Sequence, residues 1–552
     1  MGTSCLAALA SVALSACASA PATSGADTNR PVIAAPVGKV AGRIQDGIAS
    51  YKGIPYAAAP TGERRWKPPV AASGWTGVRD AGEFGPSCFQ PVARDSANSI
   101  YRDDVGELSE DCLSLNVWTP GDARNAPVFV WIHGGALVSG GTRRGMYDGA
   151  RFAREGVIFV SINYRLGALG YLAYPELSAE SPRGISGNYG LLDQIEALRW
   201  IQRNIASFGG DPDNVTVAGE SAGALSVMYL MASPDARGLF AKAVSESGYM
   251  ISSPALATRE HGHVPAEAQG AWLQQQLKAP DLAAMRAMPA DELVARSTAA
   301  GFLTWGTIDG AVLPRQIADI FDRGEQADVP LLAGFNAGEI RSLRRLLPPA
   351  PADAAAYEAR IRTTHGELAD RYLALYPASD IDESMLATTR DALYGWTAER
   401  MGRKQAAIGA PAYIYLFDHG YPATDETGLH AFHASEIPFA LGTIDRTTAD
   451  WPHIPRTPEQ YALSDIMVDY WTSFARSGAP TSEGGPAWPT FGDTGRLMVF
   501  ADGAQVRSGG IGDAYALYEE IVCRRRAAGE LPWHWNVGII APPLPGGEGR
   551  CR

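Results

Sequence analysis

Ser221 stands in Gly219-Glu220-Ser221-Ala222-Gly223, after a β-branched apolar run at 214–218 and before an apolar run that starts at Ala222. A serine hydroxyl becomes a useful nucleophile when a base takes its proton and the backbone holds Oγ clear of its neighbours. Small residues on either side of a strand-to-helix reversal supply that second condition, and the chemistry they suit is attack on an acyl carbon. An ordinary glycine-rich turn has the same five letters, but the strand before and the helix after favour the nucleophile elbow. A second segment fits the same chemistry. His133-Gly134-Gly135-Ala136 follows an apolar run that ends at Ile132. The backbone N–H groups of Gly135 and Ala136, with that of Ala222 at the start of the helix after Ser221, can converge on a developing oxyanion. The bland reading of this loop is a tight turn with glycines for steric reasons.

These loops need a frame, and the rest of the chain supplies one. Strands are expected at 127–132, 157–163 and 214–218, and later at 242–246, 329–335 and 412–417. Between the second and third, Leu191, Leu192, Ile195, Leu198, Ile201 and Ile205 recur at three- and four-residue spacing, which predicts a helix with one apolar face, ended by Gly209-Gly210-Asp211-Pro212. A long late helix is expected over 461–475. Apolar strands alternating with helices imply a mostly parallel sheet with helices on both faces.

The chain has 552 residues, 46% hydrophobic and 19% charged, and no linker or charge run divides it after about residue 30, so residues 31–552 read as one large domain. A net charge of −13 argues against nucleic-acid binding and against an anionic membrane surface as partner, since both require clustered basic residues. The basic run Arg524-Arg525-Arg526 reads as the last turn of a helix. Residues 1–24 carry no charge, and the apolar stretch at 6–16 is too short for a permanent span, which indicates a secretory signal. Leu14-Ser15-Ala16-Cys17 resembles a bacterial lipobox, so residues 1–17 are expected to be removed up to a lipidated Cys17, with 18–30 as a tether; Ala18-Ser19-Ala20 is the competing cleavage site. Export to the periplasm, an outer-membrane anchor or secretion follows. Four cysteines then remain, and Cys88–Cys112 and Cys523–Cys551 are the expected pairs, against four reduced thiols in a cytoplasmic protein.

Several further motifs appear in order: Gly53-Ile54-Pro55-Tyr56-Ala57, Glu110-Asp111-Cys112-Leu113 with Leu115-Asn116-Val117, Asn163-Tyr164-Arg165, Gly187-Asn188-Tyr189-Gly190-Leu191-Leu192-Asp193-Gln194, and Phe208-Gly209-Gly210-Asp211-Pro212. With them the chain resembles the type B carboxylesterase/cholinesterase family, from about residue 36 to at least 500. The resemblance implies the α/β-hydrolase fold and hydrolysis of a small carboxylic ester through an acyl-enzyme, with no cofactor and no metal. The nucleophile, acid and base follow in the order Ser, acid, His in this fold. By resemblance the acid is Glu339, although Gly338 and Ile340 replace the usual Asp and Gly beside it, and the base is His433, three residues before Glu436. Asp418 is the rival acid and His430 the rival histidine. Ala136 stands where the family has a third glycine. The resemblance also implies that Ser247 supports the acid and that Phe302, before Asp309-Gly310, and Leu343 line the acyl pocket. No Trp lies between Cys88 and Cys112, where cholinesterases hold a quaternary ammonium by cation–π attraction, so choline esters are disfavoured, with Tyr101 the one aromatic opening. Hydrolysis of amide, thioester or polyester bonds by the same residues is the nearest alternative. Non-catalytic binding, as in the adhesion members of the family, is opposed by the intact Ser221, Glu339 and His433. His261 and His263 find no partner set for a metal.

Overall fold

The apolar runs become the spine of one large sheet in the computed structural model of the chain. The structure describes Met1, residues 30–91, 99–102, 104–534 and 537–547, and Cys551. The expected signal, its tether and Cys17 lie outside the described residues, apart from Met1 and Arg30. The sheet is built, in chain order, from β1 (Arg43–Gln45), β2 (Ile48–Pro55), β3 (Ser114–Pro120), β4 (Ala126–Ile132), β5 (Ile158–Ile162), β6 (Gly210–Glu220), β7 (Lys242–Glu246), β8 (Leu331–Asn336), β9 (Ala412–Phe417), β10 (Leu497–Phe500) and β11 (Ala504–Arg507). Their spatial order is β11-β10-β9-β8-β7-β6-β4-β5-β3-β2-β1. From β5 to β10 every neighbouring pair is parallel, while β3, β2 and β1 at one edge and β11 at the other run antiparallel.

The strand interiors are apolar because both faces are covered. In β4, Val128, Val130 and Ile132 face one core, and Phe129 and Trp131 face the other, as the two-residue period of a strand demands. The first core is closed by α1 (Tyr189–Asn204), through Leu191, Ile195, Leu198 and Ile201, and by α2 (Ala222–Ala232). The second is closed by α3 (Pro458–Ser477), through Leu463, Met467, Trp471 and Phe474. The parallel strands and the helix over 191–205 fall within a few residues of their expected bounds. α1 stops at Asn204, a short 3₁₀ turn follows, and Gly209 at φ 87° reverses the chain into β6. The antiparallel strands β2 and β3 had no strand expectation, their motifs having carried only the family resemblance; pairing across the sheet edge makes them strands.

Polar motifs knot the loops onto this frame. Arg165 donates to both oxygens of Asp193 at 2.8 and 2.7 Å, and its backbone N–H adds a third bond at 3.1 Å, all buried. A buried charge is tolerated when its hydrogen bonds are met in this way. Both expected disulfides are present, Cys88–Cys112 and Cys523–Cys551. Arg524 and Arg525 lie near the end of α4 (Asp513–Ala528), as the basic run suggested. Among the described residues no helix is long and apolar enough to cross a membrane.

The Cys88–Cys112 bridge closes a loop with a sequence separation of 24. Replacing both cysteines by Ser should lower stability by about 3 kcal/mol, the order expected for a loop of that size. Denaturant unfolding reads the loss directly, and an unchanged midpoint would show that the bridge does not constrain the unfolded chain.

Candidate active site

Ser221 lies between the end of β6 and the start of α2, with φ 57° and ψ −120°, a conformation that costs a non-glycine residue about 1–3 kcal/mol. The glycines around it are required by space. A Cβ on Gly223 would lie 2.0 Å from the Ile132 carbonyl oxygen, and one on Gly219 would lie 2.6 Å from the Gly223 carbonyl carbon. The helix therefore begins in contact with the end of β4, and Ser221 N–H donates to the Glu246 carbonyl at 2.9 Å to fix the reversal.

The loop after β4 passes over this elbow. A Cβ on Gly134 would stand 3.1 Å from Ser221 Cβ, which places the loop against the serine. Gly135, Ala136 and Leu137 all take positive φ, at 111°, 56° and 62°. Val138 and Ser139 N–H both turn back onto the Gly135 carbonyl at 3.0 Å. The N–H groups of Gly135 and Ala136 take no protein acceptor among the described residues. The loop is held from below. His133 stacks on Tyr164, whose hydroxyl donates to the His133 carbonyl at 2.9 Å. Burial lowers the His133 pKa to about 4, so the ring is a neutral packing element. Gln90, two residues past the Cys88 bridge, clamps Gly140 by donating to its carbonyl at 2.7 Å and accepting its N–H at 2.9 Å.

His433 and Glu339 meet from two loops that are stitched together. His433 Nδ1 lies 2.5 Å from Glu339 Oε2, with the carboxylate fully buried. Asn336 N–H donates to Glu339 Oε1 at 2.9 Å, and Asn336 Nδ2 donates to the Phe432 carbonyl at 2.8 Å. Gly338 N–H donates to the Ala431 carbonyl at 2.8 Å, and a Cβ at 338 would lie 2.8 Å from the Ala431 and Leu429 carbonyl oxygens. The departure from the family's Asp at this position thus fits the close approach of the two loops, and Ile340 is buried in the core. Tyr101 completes the support, its hydroxyl donating to the His433 carbonyl at 2.9 Å and lying 2.7 Å from Ser342 Oγ.

Three further carboxyl groups surround this pair. Glu220 Oε1 approaches His433 Nε2 to 3.1 Å, as an ion pair. Glu246 Oε1 accepts from Trp471 Nε1 at 2.7 Å. Glu436 accepts from Asn336 and, at 3.4 Å, from Ser247. Ser247 was expected to support the acid; it reaches Glu436, which Asn336 in turn joins to Glu339. Burial raises Glu246 to about 8 and Glu436 well above the usual carboxylate range, so both are neutral at pH 7. Burial also pushes His433 downward, but the Glu220 and Glu339 charges outweigh it and hold the imidazole up at about 9. Sequence reasoning passed over Glu220, Glu246 and Glu436 as motif letters. Glu220 was the x of Gly-x-Ser-x-Gly, and Glu436 served only to mark His433.

The rival residues pair with each other: His430 Nε2 lies 2.9 Å from Asp418 Oδ1, half-exposed. Leu343 is buried on the segment that follows Glu339 and donates its N–H to the Ile340 carbonyl. Phe302 belongs elsewhere. It packs into an apolar cluster with Trp66, Leu172 and Leu293, and lines a small cavity with Tyr171, Pro254 and Trp305, none of which is a residue of the Ser221 site. Asp309, whose motif suggested the acyl pocket, instead caps its own loop, accepting N–H groups from Ala311, Val312 and Leu313. His263 and His534 meet on Ser252 Oγ at 2.9 and 3.1 Å.

A profile of the Carboxylesterase family matches residues 29–509. The chain belongs to the carboxylesterase family. A fumonisin B1 esterase of Sphingopyxis macrogoltabida is 34% identical over 84% of this chain and 85% of its own, and the para-nitrobenzyl esterase of Bacillus subtilis (strain 168) is 34% identical over 85% and 94%. A solved PNB esterase structure superposes with a TM-score of 0.76 at 31% identity, over 88% of this chain and 99% of that one. This carboxylesterase has the α/β-hydrolase fold and is a carboxylic ester hydrolase.

In such an enzyme the imidazole must be neutral to accept a serine proton. With His433 held at about 9, kcat/KM should climb with pH across neutrality and level off only near that value. Glu220→Gln removes the first of the charges that raise it, so the midpoint should move to lower pH, on the order of one unit. A pH–rate profile of the variant with an unmoved midpoint would remove Glu220 from this role.

Proposed function

We propose that Ser221 is the nucleophile, His433 the general base and acid, and Glu339 the residue that fixes the imidazole tautomer and steadies the imidazolium. The observation that carries this reading is the 2.5 Å contact of His433 Nδ1 with buried Glu339; it is supported by the strained backbone of Ser221 and by the adjoining loop, whose Gly135 and Ala136 N–H groups take no protein acceptor among the described residues. Ser221 Oγ attacks the ester carbonyl while His433 Nε2 takes its proton. The oxyanion is met by the N–H groups of Gly135, Ala136 and Ala222. Collapse releases the alcohol, protonated by His433, and leaves the acyl-enzyme. Water activated by the same imidazole then attacks the acyl carbon and frees the acid and Ser221.

The substrate class that fits is a neutral or hydrophobic small carboxylic ester. Support comes from the relative named for para-nitrobenzyl esters, and from the buried carboxyl groups already at the site, which disfavour anionic groups near Ser221. Choline esters lack their aromatic platform: the Tyr101 hydroxyl binds His433 and Ser342, and its ring packs on Phe432 and Trp451. Amide, thioester or polyester bonds are open to the same chemistry, and matched substrates rank them. We also propose an exported protein whose only membrane contact is a lipid on Cys17. The uncharged leader and its lipobox-like end support this, and the two disulfides agree with an oxidising compartment.

Ser221→Ala should lower kcat by at least about 10⁴-fold without unfolding the chain, and an organophosphonate should label Ser221, located by mass spectrometry; a folded, active variant would overturn the assignment. His433→Ala should cost far more activity than His430→Ala, and equal losses would reopen the choice of base. Panels of p-nitrophenyl and natural esters of graded size read the preference, and the mass of the mature N-terminus reads the lipid.

A further inference from the structure

Ala434 follows His433 with φ 71°, a left-handed conformation that strains any residue with a side chain. The peptide joining the two residues therefore has to be held by its surroundings. Among the described residues its carbonyl, that of His433, takes one donor, the Tyr101 hydroxyl at 2.9 Å. A phenol has a single proton. Since Tyr101 gives it to His433, the 2.7 Å contact with Ser342 Oγ runs the other way, with the serine donating to the phenol oxygen. The chain from Ser342 through Tyr101 to the His433 carbonyl thus ties the segment after Glu339 to the segment that carries the imidazole, a further stitch beside those made by Asn336 and Gly338. Tyr101 is itself fixed. Its ring stands edge-on to Trp451 at 6.1 Å and tilted to Phe432 at 6.5 Å, and those two rings lie 4.9 Å apart. Its carbonyl accepts from Arg144 Nη2 at 3.3 Å, while on either side Thr448 Oγ1 donates to the Ile100 carbonyl at 3.2 Å and Arg102 Nε to Asp450 Oδ2 at 2.8 Å.

We infer that Tyr101 is a positioning residue for the reaction: its hydroxyl holds the strained 433–434 peptide in the conformation that keeps the imidazole on Glu339. The inference rests on His433 being the general base. Two anchors then fix that residue, the Glu339 carboxylate at the ring, 2.5 Å from Nδ1, and the phenol at the backbone. Each leaves one freedom to the other. The carboxylate sets the tautomer but cannot stop the backbone from turning, and the phenol sets the backbone but does not touch the ring. Without the phenol, the peptide is free to relax toward the negative φ that Ala434 prefers, and rotation there carries the imidazole away from its carboxylate. Tyr101 acts on the acyl group only through His433. Desolvation raises its pKa well above the ordinary phenol value, so it remains a donor at every pH at which the esterase works. Ser342 polarises the phenol by donating to it, and bonds linked in series strengthen one another.

Tyr101→Phe removes the phenol oxygen and keeps the ring against Phe432 and Trp451. With active sites counted by phosphonate titration, kcat on a p-nitrophenyl ester should fall about tenfold while KM stays within about twofold, and phosphonate inactivation should slow in proportion. Ser342→Ala weakens the relay but leaves the bond to His433, so its kcat should fall by about threefold or less. In an Ala434→Gly background the left-handed peptide carries no side-chain penalty, and there the Tyr101→Phe change should cost only about threefold. A Tyr101→Phe enzyme with wild-type kcat overturns the inference. Equal losses in the two backgrounds also overturn it, since a phenol that only packs gains nothing from a relaxed peptide. Wild-type kcat in His433→Ala would overturn the assignment of the base instead, which keeps the two failures apart.

Discussion

The contact on which the site depends is that between the first turn of α2 and the carbonyl of Ile132 at the end of β4. It is so close that neither Gly219 nor Gly223 can carry a side chain. Because β4 and β6 are parallel neighbours, the loop leaving β4 and the helix leaving β6 start at one edge of the sheet, and that contact draws them together. Gly134 passes within reach of Ser221 as a result, and the N–H groups expected to receive an oxyanion fall beside the residue expected to create it. The strain stored at Ser221 is held by packing on both sides, through the helix below and the Glu246 carbonyl beside it.

Charge organises the next layer. Glu220, Glu246, Glu339 and Glu436 are almost wholly buried around one imidazole, and four carboxylates cannot all ionise in so little water. The structure resolves this by protonation. Glu246 and Glu436 are driven neutral by burial, and burial raises Glu220 to about 7 against the opposing pull of the His433 charge. The basicity of the histidine is therefore set by its surroundings, and Trp471, Asn336 and Ser247 hold the neutral members by hydrogen bonds.

Much of the fold and the centre of the site were legible in the sequence because they rest on local signals. A β-branched run, a helical repeat and glycines about a serine each act over a few residues, and the parallel strands appeared where those signals put them. Glu339 and His433 were reached through motif resemblance, and the contact between them could only be seen once two distant loops were joined by Asn336 and Gly338. Glu246 was invisible for a different reason. Its role comes from strand register and from what is buried beside it, and neither leaves a local pattern. Phe302 was reached through its nearness to Asp309-Gly310 in the chain, which says nothing about direction; its ring packs against the cluster around Trp66.

The buried carboxylates have a consequence for product release. An ester enters the site without charge, whereas the acid freed from Ser221 ionises to a carboxylate at neutral pH and does so beside Glu220 and Glu339. Little water intervenes to screen that repulsion. That repulsion weakens the hold of the site on the free acid and eases its departure, while the balance between ester and acid stays the one set by the reaction in water. The carboxylates that govern the imidazole thus also act as a clearing field for the spent acyl group.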